Sequence, residues 1–78
     1  MGGAVETQYK GHFIRVSAVR IPQINRWTVR SYVSWEFANN SGEKTLVHAD
    51  LQFGCVEEAM RAGVEFAIAW IEMISVII

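Results

Sequence analysis

The sequence predicts an α+β fold: a three-stranded antiparallel meander with one C-terminal helix packed on one face. Three observations lead there. Apolar residues recur at period two in three successive segments, the pattern of half-buried strands. After Gly54 the period becomes 3.6, the pattern of an amphipathic helix. The order strand, strand, strand, helix closes into two layers most simply as a meander covered by its helix. At 78 residues the chain has room for one core, so 1–78 reads as a single domain.

The elements follow in order. Residues 1–8 carry little pattern and are expected to be a loose start. The first strand is placed at about 10–20, where Ile14, Val16 and Ala18 alternate with Arg15, Ser17 and Val19. Pro22-Gln23-Ile24-Asn25 ends it, because proline lacks a ladder donor and asparagine favours turns. The second strand, about 26–37, is the clearest. Trp27, Val29, Ser31, Val33, Trp35 and Phe37 point one way, and Thr28, Arg30, Tyr32, Ser34 and Glu36 the other. Asn39-Asn40-Ser41-Gly42 reads as a turn. The third strand is placed at about 43–53, with Val47, Ala49, Leu51 and Phe53 inward and Leu46, His48, Asp50 and Gln52 outward.

Charge suggests the register. Phe37 opposite Glu43 would set Glu36 against Lys44, Arg30 against Asp50 and Tyr32 against His48. Opposite charges directly across an antiparallel pair favour that register over its neighbours. The helix, about 56–75, has Cys55 at its N-cap and Glu57 and Glu58 at the positive end of its dipole. Ala59, Gly63 and Ala67 form a small-residue stripe that brings the helix backbone close to the sheet. Glycine costs about 1 kcal/mol against alanine in a helix, so close approach is the reason for Gly63.

Tyr9-Lys10-Gly11 opening an Ile-rich strand, Trp27 starting a second, and the helix residues Glu57-Glu58-Ala59, Gly63, Phe66-Ala67 and Trp70-Ile71-Glu72 carry a resemblance. Over about residues 9–72 the chain resembles small bacterial stand-alone domains of unknown function with a three-strand, one-helix arrangement. The resemblance implies that fold and a bacterial or phage origin. It implies no activity. Cys55 in place of a serine or threonine, and the apolar tail beyond Glu72, depart from the pattern.

Composition excludes several function classes. Apolar residues make up 51% and charged residues 19%, which excludes a disordered tail. Net charge is −1, which excludes a uniformly basic nucleic-acid coat. The single cysteine forbids an intramolecular disulfide and favours a cytoplasmic setting. No apolar leader follows Met1, so no signal peptide is expected. From Val64 to Ile78 only Glu65, Glu72 and Ser75 are polar. That stretch is shorter than the roughly 20 residues a membrane span needs, so a buried helix and no membrane contact are expected.

No catalytic, cofactor or metal site stands out. His48 and Asp50 share a strand face but lack a nucleophile and a pocket. Cys55 is opposed by two glutamates, and no metal-ligand spacing occurs among His12, His48, Asp50 and Cys55. Two surfaces remain. Val64, Ile68, Ile71, Ser75 and Ile78 lie on the helix flank and tail as apolar surplus, which points to a homodimer or a protein partner. Arg15, Arg30, Tyr32 and His48 could form a basic, partly aromatic sheet face, an alternative route to nucleic acid. The leading expectation is a non-catalytic binding module without a cofactor.

Overall fold

The computed structural model describes residues 3–37, 39–48 and 51–77, and the side chains of residues 4–74 among them. Four antiparallel strands, β1 (Gly3–Tyr9), β2 (His12–Ile21), β3 (Arg26–Phe37) and β4 (Asn40–Val47), lie in that order in one sheet, followed by α1 (Val56–Ile77). The α+β class and the C-terminal helix are as expected. The strand count is four, not three.

The extra strand is the segment expected to be loose. Val5, Thr7 and Tyr9 pair with Val16, Ile14 and His12. The connection is the two-residue turn Lys10-Gly11, with φ of 48° and 78°. Positive φ at both central residues is the hairpin turn whose twist matches the flanking strands. Glycine takes that conformation freely and lysine at a cost. Lys-Gly is a weaker hairpin signal than Asn-Gly, and so the strand before it was hidden.

At its other end β2 turns through Pro22-Gln23-Ile24-Asn25 into β3, as expected. Asn25 takes φ 54°, its amide donates to the Ile21 carbonyl at 3.1 Å, and the Arg20 guanidinium holds its side-chain oxygen. Ile21 then stands opposite Arg26 and the ladder runs unbroken to His12 opposite Trp35.

The register of β4 differs from the charge-based expectation. Phe37 pairs with Asn40, Trp35 with Gly42 and Tyr32 with Thr45, three residues away from the expected pairing. An odd shift turns the strand over. Gly42, Lys44, Leu46 and His48 take the helix side, and Glu43, Thr45 and Val47 face away from it. Steric fit outweighs the ion pairs here. A Cβ at Gly42 would lie 2.6 Å from the Trp35 indole. Gly42 is therefore the residue that leaves room for that ring, rather than a turn glycine.

The expected pairing reappears further on. A continuous ladder beyond Arg30–Val47 would put residue 50 opposite Trp27. Instead Phe53 stands there, with Trp27 N donating to Phe53 O at 2.9 Å and Phe53 N to Trp27 O at 2.8 Å. The register against β3 thus changes by three between Val47 and Phe53. Arg30 is paired with Val47 in place of the expected Asp50; Ala49 and Asp50 themselves lie outside the described residues.

The core lies between the sheet and α1. Ile14, Val16, Ala18, Val29 and Val33 from the central strands meet Ala59, Ala67 and Ile71. Phe66 and Trp70, half-buried, border this core, Trp70 beside Trp35 with ring centroids 5.9 Å apart. The helix lies across β2 and β3 and reaches β1. At Gly63 a Cβ would sit 2.4 Å from Val16 and 2.7 Å from Val29, so close approach is why glycine stands there. Cys55 occupies the N-cap as expected, its carbonyl accepting the Ala59 amide at 3.2 Å.

Candidate functional site

The helix covers one face of the sheet and leaves the other open. Antiparallel pairing defines the rows of the open face. One row runs Ala4, Ser17, Arg30, Val47 across β1 to β4; the next runs Glu6, Arg15, Tyr32, Thr45; the third runs Gln8, Phe13, Ser34, Glu43. Period-two alternation in β2 and β3 places these side chains outward while Ile14, Val16, Val29 and Val33 point to the core.

This face is apolar in patches and charge-balanced. Phe13 is 54% exposed and Val47 59%, with Val19 also exposed at the end of β2. In these three rows the two arginines stand on the central strands and two glutamates on the edges; Arg26 and Glu36 lie beyond the rows, at the two ends of β3 on the same face. Arg15 approaches Glu6 at 4.0 Å, and the Tyr32 hydroxyl donates to Glu43. That bond holds the Tyr32 proton, so its pKa is raised. A shallow depression of about 390 Å³ is lined by Glu6, Gln8, Phe13, Arg15, Tyr32 and Ser34.

Arg15, Arg30 and Tyr32, three of the four residues of the expected basic face, are brought together here. His48 is not. The turned-over register puts it on the helix side, where its ring lies 4.2 Å from that of Phe66 and its carbonyl accepts the Thr28 hydroxyl. Its Nε2 is buried without a hydrogen-bond partner among the described residues. With Glu6 and Glu43 among the arginines, the face is mixed in charge rather than basic.

The helix flank differs from its expected form. Ile71 is a fully buried core residue, because the helix face that meets the sheet extends round to it. Val64 and Ile68 are half-buried and packed against the core. The Ser75 side chain and Ile78 lie outside the described residues. Val64, Ile68 and Ile71 are thus absorbed on this side, whereas Met73 of the same helix is exposed. On the open face the exposed apolar groups that sequence reasoning missed are Phe13 and Val47, with Val19 seen to face outward but given no role; elsewhere Leu51, expected inward, and Phe37 are exposed as well. The signal for Phe13 and Val19 was the alternation of β2 itself, which sets them on the face opposite Ile14.

A second polar cluster ties the helix to the first hairpin. The Tyr9 hydroxyl and the Lys10 ammonium, the latter at 2.9 Å, both donate to Glu72. These bonds lower the Glu72 pKa and raise those of Tyr9 and Lys10. His12, buried beside Trp35 and Phe37, donates from Nδ1 to the Lys10 carbonyl at 3.0 Å. The arrangement fastens the first hairpin to the C-terminal half of the helix.

Cys55 is exposed and unpaired, and among the described residues no three His, Cys, Asp or Glu side chains gather as metal ligands do. No helix of the described residues is long and apolar enough to cross a membrane. No family model, no curated protein and no solved structure matches the chain, so its functional reading rests on this geometry.

Proposed function

We propose that this chain is a small non-catalytic binding module of the cytoplasm that acts by associating with a second protein surface, in the first instance its own. The observation that carries this reading is the uncovered sheet face bearing exposed Phe13, Val19 and Val47. A chain of 78 residues buries a smaller share of its surface than a larger domain does, and association is a common way for so small a domain to bury more. The balance of Arg15 and Arg30 against Glu6 and Glu43 suits a protein surface better than a polyanion. Sedimentation equilibrium over a wide concentration range tests the reading. A mass that rises to two chains supports it; a single-chain mass at every concentration overturns self-association.

A further inference from the structure

The open sheet face has a pattern that fits a copy of itself. We propose that two copies pack sheet to sheet through this face, about a two-fold axis running along the strands between β2 and β3. The proposal rests on the self-association reading and assigns its surface and symmetry.

The rows of the face decide the axis. Sheets pack face to face about 10 Å apart with their strands nearly aligned. A two-fold axis along the strands lays β2 of one copy over β3 of the other. Arg15 then faces the partner's Tyr32, a guanidinium over an aromatic ring. Phe13 faces the partner's Ser34, a large side chain over a small one beside the depression. Arg30 faces the partner's Ser17, and Ala4 faces the partner's Val47. Glu6 and Glu43 face the partner's Thr45 and Gln8. Every charged group of the three rows meets an uncharged one. An axis across the strands would instead set Arg15 on the partner's Arg15 and Glu6 on the partner's Glu6, which like-charge repulsion disfavours.

The area suffices. The strands have 7, 10, 12 and 8 residues. Four strands about 4.8 Å apart and roughly nine residues long at about 3.3 Å each cover roughly 570 Å². Two such faces give on the order of 1,100 Å², above the roughly 1,000 Å² of a specific interface. Phe13, Val47 and Tyr32 supply the apolar and aromatic anchors that carry most binding energy at such surfaces.

Sedimentation of the wild type, Phe13→Glu, Val47→Lys and Val64→Glu tests the proposal, with circular dichroism confirming that each folds. Phe13 and Val47 are exposed on different strands, so the two variants need not fail together. The expected result is a wild-type dimer whose Kd rises about tenfold or more in both sheet-face variants and stays unchanged in Val64→Glu. A dimer untouched by both sheet-face variants would overturn this surface and leave self-association standing. A wild-type monomer would overturn both, and retention of that monomer on single-stranded DNA at low salt would favour nucleic acid instead.

Discussion

The Ser31 hydroxyl donates to the Gly63 carbonyl at 2.7 Å, joining the centre of β3 to the middle of α1. Both residues are buried, and Gly63 has no room for a side chain between Val16 and Val29. The two β-branched side chains cannot swing aside without leaving their preferred rotamers. Gly63→Ala is therefore expected to destabilise the fold by about 1–3 kcal/mol despite its better helix propensity. Ser31→Ala is expected to cost about 1 kcal/mol. Urea unfolding measures both; a Gly63→Ala variant more stable than wild type would show that the helix stands off the sheet.

Gly42 plays the matching part at the edge. Its missing Cβ admits the Trp35 indole, which in turn lies beside Trp70 and His12. Gly42→Val is expected to displace that ring, to cost about 1–3 kcal/mol and to change the near-ultraviolet circular dichroism. An unchanged aromatic spectrum would contradict the placement of Trp35.

The Glu72 clamp predicts a pH dependence. Its carboxyl is held below its ordinary pKa by the Tyr9 and Lys10 donors, so its contribution is present above about pH 4.5 and fades as pH falls through the lower folded-state value. Tyr9 and Lys10 are shifted upward by the same carboxylate, so their contributions fade in strongly alkaline solution as their protons leave. Glu72→Gln is expected to flatten both limbs of a melting-temperature profile against pH. Parallel profiles for variant and wild type would show that the clamp does not form.

The Trp27–Phe53 bridge returns the chain to the sheet before the helix begins. Because Phe53 is half-buried, Phe53→Ala is expected to cost about 2 kcal/mol, less than the 3–5 of a core phenylalanine. Hydrogen exchange at the Trp27 amide should quicken selectively, since that amide donates to the Phe53 carbonyl. Uniform quickening along all of β3 would instead mean that the bridge is inseparable from the sheet.

What the sequence disclosed follows from which forces are local. β3 was legible to its ends because six apolar or small residues alternate without a break, and α1 because its period and its acidic first turn agree. Gly63 was legible as a close-packing glycine because no other role explains glycine inside a helix. The β4 register was not, because it is set by the fit of Trp35 over Gly42, a contact visible only in three dimensions. That shift took His48 from the expected basic face, and the width of the helix contact took Ile71 from the expected docking flank. β1 was missed because its outward residues and its Lys-Gly turn give a weak local signal. With β1 unrecognised, Glu6 was not seen beside Arg15, and the charge balance of the open face stayed hidden.

Isotope-filtered nuclear Overhauser spectroscopy on a mixture of labelled and unlabelled chains tests the central claim most directly, because it reports only contacts between copies. The face-to-face dimer predicts cross-peaks from Arg15 to the partner's Tyr32 ring and from the Phe13 ring to the partner's Ser34. Inter-copy cross-peaks from Val64 and Ile68 without any from Phe13 would place the interface on the helix flank and contradict the account. The absence of inter-copy peaks at millimolar concentration would contradict it as well.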